Sequence, residues 1–561
     1  MNQSKESTFS FPFDPKIAYF TMEIAISSDI PTYSGGLGIL AGDTIRASAD
    51  QKIPIIAVTL LSEKGYFVQE INAKGQQIEH PADFDPAAKL TKLNVESSFQ
   101  MGDHKVYVQG WVKLVKGVSD FSVPVIFLDT NLEKNNEWDR ELTSFLYGKD
   151  KRYRIAQEMV LGVGGISLLE KLGYLDKISK FHMNEGHASF LTLALQKHYK
   201  DIDKVQEKCV FTTHTPVQAG IDIFDSSMVS EFVGDLISDD ISSEVINENK
   251  LNMTYLGFYF SKYINGVAKK HRKVSKKMFP GFTIDFITNG IHLPTWVSPS
   301  FARLFNQYIS GWKKDHYSLR YAIQIPLDEI WSAHQKEKKK LFDFINQTMD
   351  FSLSHKRFTI GFARRQTAYK RPDLLFSDLD YLKEINKSFP LQVLYAGKAH
   401  PKDAEGKNFI KKIVEIGHEL QGEIPVLFLE NYSFDLAKKL VAGVDLWLNN
   451  PRKPLEASGT SGMKAAANGI PQLSVLDGWW VEGHLEHMTG WAIGSTAQKE
   501  SSEDEEDLKD LYNKLNYVIL PLFYDKKEDW LQVMRYCIAL NASFFNTQRM
   551  LAQYVVNAYF L

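Results

Sequence analysis

The second half of the chain repeats one pattern: a short apolar run followed by a helical stretch. The runs are 357–362, 391–396, 426–429, 444–448 and 472–476. Such residues favour strands. Strands that alternate with helices fold as parallel sheets with right-handed crossovers. The first half shows the same alternation at 17–20, 54–61 and 208–213, with a Gly35-Gly36-Leu37-Gly38 turn and a helix over 39–50. Parallel sheets bind ligands at the carboxyl ends of their strands, so the residues that follow these runs are the candidates for a site. The chain has 561 residues, and single cores stop growing near ~250–300 residues. An α/β chain with two sheet units is therefore expected. Their boundary is expected between 299 and 328, before a charged amphipathic helix over 328–347. The last segment, 530–561, reads as helical and rich in aromatics.

Composition narrows the function classes. The net charge is −3, with 44% hydrophobic and 24% charged residues, as in ordinary globular proteins. The basic footprint of a nucleic-acid binder is absent. Cys209 and Cys537 stand far apart and form neither a metal motif nor a disulfide framework, which fits a reducing compartment. The first 16 residues are polar, then Phe/Pro-rich, without the apolar core of a signal peptide. No apolar run approaches the ~18–20 residues that span a bilayer. A cytoplasmic protein with no membrane partner is expected. The acidic run 501–507 reads as a solvated loop. His182-Met183-Asn184-Glu185-Gly186-His187 lacks the spacing of zinc proteases, so no metal is expected. Gly162-Val163-Gly164-Gly165 lies within an apolar helical pattern and reads as close packing, not as a dinucleotide turn.

The chemistry concentrates in Glu456-Ala457-Ser458-Gly459-Thr460-Ser461-Gly462-Met463-Lys464. Gly459 and Gly462 permit close backbone approach. Gly459, Thr460, Ser461 and Gly462 can aim N–H groups at one anion if a helix starts there, and Met463-Lys464-Ala465-Ala466-Ala467 reads as that helix. A lysine beside a phosphate cradle is one arrangement for holding pyridoxal phosphate covalently. A Gly/Ser turn with a solvated lysine is the plainer alternative.

The motif has company. Tyr33-Ser34-Gly35-Gly36-Leu37-Gly38, Phe211-Thr212-Thr213-His214-Thr215, Thr288-Asn289-Gly290-Ile291, Arg364-Arg365 with Tyr369-Lys370-Arg371, and Phe428-Leu429-Glu430-Asn431-Tyr432 follow in order. Together with the lysine motif, these resemble the α-glucan phosphorylases (glycogen, starch and maltodextrin phosphorylases) in their short bacterial and archaeal branch. The resemblance implies a GT-B fold, two Rossmann-like domains facing a catalytic cleft. Its division would be 1–310 for the glycine-rich loop and glucan side and 311–535 for the cofactor and phosphate side. A C-terminal helix, 536–561, would return to the first domain.

The resemblance also implies roles. Lys464 would hold pyridoxal 5'-phosphate covalently, with Thr460, Ser461, Gly462 and Arg364 around its phosphate and Tyr432 and Trp296 around its ring. Long members carry lysine at the Arg364 position and asparagine at the Ser34 position, which are departures here. Arg365 and Lys370 would bind substrate phosphate, with the Gly35 and Gly36 N–H groups opposite. Glu185, His187, Asn289, Glu456, Ser458 and Gly459 would line the glucosyl site. The His214 backbone carbonyl would face the anomeric carbon. The implied reaction releases glucose 1-phosphate from an α-1,4-glucan and inorganic phosphate, with retention and with the cofactor phosphate as proton shuttle. A homodimer is common among members. Because the first expected strand begins by Ile17, no N-terminal regulatory apparatus and no AMP dependence are expected. A nucleotide-sugar glycosyltransferase would explain two domains and the cations but not Gly462-Met463-Lys464. A silent glucan-binding protein would not need every matched position filled.

Overall fold

In a computed structural model of the chain, residues 11–560 are described apart from 149, 350, 352, 495, 497, 498, 500 and 502. The first ten residues of the polar leader, Ser502 of the acidic run and the terminal Leu561 lie outside the described residues.

Two sheets organise the chain. The first has nine strands, in the order Asp285–Phe286, Tyr263–Gly266, Cys209–Thr212, Lys180–Asn184, Ile17–Phe20, Ile55–Leu60, Ser122–Asp129, His104–Lys116 and Thr91–Met101. Ile17 stands opposite both Ile55 and Lys180 in parallel register. Every residue of Ile17–Phe20, Ile55–Leu60 and Cys209–Thr212 is buried, as expected of parallel strands covered on both faces. The second sheet has six strands, all parallel: Val426–Leu429, Leu391–Ala396, Phe358–Ala363, Leu446–Asn449, Gln472–Val475 and Gly490–Ile493.

Three expectations need correction. The first sheet is not wholly parallel: Thr91–Met101, His104–Lys116 and Ser122–Asp129 pair antiparallel. Gly102 makes the first turn at φ +57°, where an added Cβ would lie 2.3 Å from the Glu231 carbonyl oxygen. The glycine-turn helix begins at Gly36, not at 39. The acidic run is not a loop beyond Glu503: Asp504 opens the helix Asp504–Lys514. Arg371 Nη1 donates to Asp504 at 2.9 Å and Nη2 to the buried Asp507 at 2.7 Å. Those carboxylates suit a helix N-terminus and serve as ion-pair partners as well.

The helix over 328–347 is present as Leu327–Thr348. It packs on the second sheet and brings Lys338 and His334 to Asp445, with all three side chains fully buried. Gly162 is close-packed as expected, since an added Cβ would lie 2.5 Å from Leu191 N. Cys209 and Cys537 are free and buried. No helix among the described residues is long and apolar enough to cross a membrane. The chain's last turns lie against the first sheet: the Tyr559 hydroxyl is 2.7 Å from His182 Nδ1, and the Tyr554 hydroxyl is 3.1 Å from Thr212 Oγ1.

Candidate active site

The candidate residues gather at the carboxyl ends of strands. Phe358–Ala363 leads into Arg364 and Arg365, and Gln472–Val475 into Asp477. In the first sheet, Lys180–Asn184 leads into Glu185, Cys209–Thr212 into His214, and Ile17–Phe20 into Glu23.

On the second sheet, two cations share one carboxylate. Arg364 Nη2 donates to Glu456 Oε2 at 2.5 Å, and Lys370 Nζ donates to the same oxygen. Burial pushes the Glu456 carboxyl up, but Arg364 and Lys370 outweigh it and hold it at about 2. Burial first, and Arg364 next, pull Lys370 down to about 7 against Glu456. Like charges repel strongly where water is excluded, so this cluster is short of negative charge. Arg364 Nε and Nη1 are buried without a hydrogen-bond partner among the described residues. Glu456, expected on the sugar, is here the counter-ion of both cations. Its backbone N donates to Asp477 Oδ2 at 2.9 Å. Burial raises the Asp477 carboxyl to about 7, and its Oδ1 has no partner.

Lys464 sits on the short helix Ser461–Ala466, with Thr460 at the N-cap. Gly459, at φ +83°, turns the chain into that helix. Gly462 tolerates no side chain, because a Cβ would lie 1.5 Å from Gln472 Oε1. Ser461 Oγ accepts from Trp447 Nε1 at 3.1 Å. Lys464 is 7% exposed, and its Nζ has no hydrogen bond or ion pair among the described residues. Nζ lies 3.9 Å from the Trp296 ring centroid. Burial pulls this amine down to about 8, with Asp43 opposing. Trp296 is itself fixed by a 2.6 Å bond from Nε1 to Asp43 Oδ2. Tyr432 is half-buried against the second core. A desolvated amine is an activated nucleophile. With Arg364 seeking an anion, these residues fit an aldehyde that carries a phosphate.

On the first sheet burial keeps the two site histidines, His187 and His214, neutral. Glu185, at φ +80°, accepts from His214 N at 2.6 Å and from Thr215 Oγ1 at 3.0 Å. His214 Nε2 lies 2.6 Å from Asn184 Oδ1, and burial pulls the ring down to about 3. His187 meets Asp222 at 3.4 Å. Arg549 Nη2 donates to the Asn289 backbone oxygen at 2.9 Å. His187 Nδ1, Asn289 Oδ1 and Ser458 Oγ are buried without partners. Unsatisfied buried polar atoms are rare in folded proteins, and these three belong to residues expected to line the glucosyl site.

Gly35 and Gly36 face open space, with nothing within 4 Å of an added Cβ. The Gly35 N–H, expected on substrate phosphate, is instead taken by Glu23 Oε2 at 3.1 Å, along with that of Ser34. The Tyr147 hydroxyl donates to Glu23 Oε1 at 2.9 Å. A carboxylate thus fills the anion position of the loop. Arg365 is exposed to solvent. The protein around its base costs it some hydration, but Tyr66, Glu23 and Tyr147 outweigh that and hold its charge more firmly than in water.

Sequence reasoning misses Glu23, Asp43, Tyr66, Tyr147 and Asp477. A signal for two of them exists: Glu23 and Asp43 are lone carboxylates within apolar runs, Phe20-Thr21-Met22-Glu23-Ile24-Ala25 and Ile39-Leu40-Ala41-Gly42-Asp43. A charge buried in such a run must find partners.

The carbohydrate phosphorylase family profile matches residues 223–515. The chain is 36% identical to maltodextrin phosphorylase of Thermococcus litoralis, over 99% of this chain and 72% of that one. It is 35% identical to glycogen phosphorylase of Aquifex aeolicus, over 99% and 88% respectively. An uncharacterized protein of Methanocaldococcus jannaschii is 30% identical over 97% of this chain and 99% of its own. On these matches the chain belongs to the carbohydrate phosphorylase family.

Proposed function

We propose that the protein is an α-1,4-glucan phosphorylase of GT-B architecture, acting in the cytoplasm as a homodimer. It would release glucose 1-phosphate from the non-reducing end of a glycogen or maltodextrin chain, with retention. The domains would run over 1–310 and 311–535, with 536–561 lying back on the first. The observation that carries this reading is the shortage of anions at Arg364 and Lys370, which share the single carboxylate of Glu456, together with the buried unpartnered polar atoms of His187, Asn289 and Ser458. Phosphorolysis needs that asymmetry, since it gathers two phosphates beside an uncharged sugar.

Pyridoxal 5'-phosphate would be held by Lys464, with Arg364, Thr460, Ser461 and Gly462 at its phosphate. When bound, it would supply an ionisable phosphate with a second pKa near ~6, able to hold and return a proton. Arg365 and Lys370 bind substrate phosphate. Phosphate on those cations frees Glu456 to accept sugar hydroxyls, a charge-assisted bond. His214, locked neutral against Asn184, adds no positive charge beside the cationic centre that develops at the anomeric carbon. Its backbone carbonyl, with Glu185, His187, Asn289, Ser458 and Gly459, orients the sugar. No pair of protein carboxylates is required, unlike in hydrolases.

Two outcomes test the cations. Arg365→Ala should lower kcat/KM for phosphate by several orders of magnitude while glucan affinity holds, because buried anions lose their counter-charge. Lost glucan affinity with normal phosphate kinetics would move the phosphate site elsewhere. The second outcome is a pH dependence. Phosphate capture needs a charged Lys370, whose pKa is about 7 in the free enzyme. Wild-type kcat/KM for phosphate should therefore fall as pH rises through about 7. Lys370→Arg stays charged, so the alkaline limb should retreat to higher pH. Coincident limbs in enzyme and variant would exclude Lys370.

A further inference from the structure

We infer that Gln69 and Gln77 are positioning residues that hold the phosphate cradle in place from the opposite sheet's half of the chain. This rests on the phosphate-binding role proposed for Arg364 and Arg365.

Both glutamines lie on a small antiparallel hairpin, Val68–Ile71 with Gln77–His80, which belongs to neither main sheet. The hairpin leaves the first half and touches three segments of the second: 397–399, Glu430-Asn431, and the helix Ala404–Glu419, where Lys407 Nζ lies 2.7 Å from Glu79 Oε1. Gln69 is 1% exposed and Gln77 is 6% exposed, which is uncommon for glutamine. Gln77 treats Ala399 as a strand partner would: its Oε1 accepts from Ala399 N at 3.0 Å, and its Nε2 donates to Ala399 O at 3.0 Å. Gln69 Nε2 donates to Gly397 O at 3.0 Å and to Gln77 Oε1 at 2.8 Å. Gln69 Oε1 accepts from Asn431 N at 2.9 Å, and Gln69 N donates back to Asn431 Oδ1 at 3.3 Å. Lys398 Nζ donates to Phe67 O at 2.6 Å.

Segment 397–399 is what the hairpin grips, and that segment carries the cradle. Gln366 N donates to Lys398 O at 3.1 Å, and Arg364 N to Ala396 O at 3.2 Å. Gly397 is so close to the cradle backbone that an added Cβ would lie 1.9 Å from Arg364 O. Gln366 Nε2 closes the ring with bonds to Arg364 O at 3.0 Å and Ala396 O at 3.2 Å. At the hairpin's root, Tyr66 lies beside Arg365 and favours its charge. The path from hairpin to cations is thus backbone and buried amide throughout. Hydrogen bonds of this kind are directional and costly to leave unmade. Gln69 and Gln77 are each bonded at both amide atoms, and buried amides paired in this way hold the hairpin and segment 397–399 in one geometry.

A loosened cradle would let Arg365 sample positions away from substrate phosphate, so that less of the free enzyme is ready to bind it, while saturating phosphate restores the productive arrangement. The test uses Gln77→Met and Gln69→Met in the full-length holoenzyme; methionine keeps the volume and removes the amide. Gln77→Met should raise the phosphate KM by about ten-fold or more, with glucan KM unchanged and kcat at saturating phosphate within about two-fold. Gln77→Glu, which keeps the acceptor for Ala399 N, should fall between the two. Hydrogen exchange followed by mass spectrometry should show faster exchange in peptides covering 364–368 and 396–400, and unchanged exchange over 446–449. Faster exchange there with an unaltered phosphate KM would overturn the positioning role. So would an equal rise in phosphate and glucan KM. Unchanged exchange at both segments would show that the hairpin does not hold them. Because exchange is read without turnover, absence of phosphorolysis in the wild type would count against the proposed function and leave the mechanical half of this inference decided on its own.

Discussion

Lys464→Ala is expected to purify without pyridoxal absorbance and without phosphorolysis. The reason lies in the pocket around the amine. Lys464 Nζ is pressed against the Trp296 ring, with no ionic partner among the described residues, and burial draws it down to about 8. About a tenth of it is then uncharged at pH 7, far more than for an ordinary lysine, and the uncharged form is the nucleophile. Truncating the side chain would leave the ring pocket of Trp296 and Tyr432 and the Arg364 anion site in place, so weak non-covalent retention is the most that could survive. The covalent link can be read without activity. Borohydride treatment of the wild-type holoenzyme should fix the added mass on the peptide containing Lys464. The proposed role of the link is that of a tether, which predicts that the reduced enzyme keeps substantial activity, whereas a cofactor analogue lacking the phosphate gives none. Label on another lysine, or retained absorbance and activity in Lys464→Ala, would remove this residue from the account.

The second large effect is on stability. Asp445 sits at the centre of the second sheet's packing with Lys338 at 2.6 Å and His334 at 2.8 Å, all fully buried. Asp445→Ala would strand the Lys338 ammonium in an apolar core at a cost of ~3–5 kcal/mol. Urea unfolding would register this as a lower midpoint with an unchanged slope. Replacing Lys338 by methionine in the same protein should recover part of the loss, since the stranded charge is then gone. The pH dependence follows from the same pair. Burial pushes the Asp445 carboxyl up, but Lys338 and His334 outweigh it, so its folded pKa lies below the ordinary carboxylate value. Its stabilisation is complete above the unfolded value, about 3.9, and is lost as pH falls through the lower folded value. The variant should lack that acid-side decline, and an Asp445→Ala protein as stable as wild type would show the pair to be dispensable.

Much of the scaffold is readable because its code is local. The runs near 55–60, 391–396 and 426–429 are short and apolar, the first of them rich in β-branched residues, and burial on both faces makes such runs continuous rather than alternating. The antiparallel strands Thr91–Met101 and His104–Lys116 escape such a reading, since half-exposed strands with polar residues, such as Lys92 to Ser98, carry a weaker signal. The acidic run 501–507 is misleading because composition alone cannot reveal that Asp507 reaches Arg371 across more than a hundred residues. At the site, Lys464, Arg364 and Lys370 are legible from spacing within motifs. Glu23, Tyr147 and Tyr66 are not, because their meaning arises only when the chain folds them beside Arg365 and the glycine loop. The exchange of Glu456 between cations and sugar is likewise a property of the assembled cleft.

The measurement that bears most directly on the central claim is product analysis with a maltodextrin, with and without inorganic phosphate, on the purified holoenzyme. The expected result is glucose 1-phosphate of α configuration, formed only when phosphate is present. Sugar transfer that depends on a nucleotide sugar, or glucan binding with no phosphate-dependent product, would contradict it.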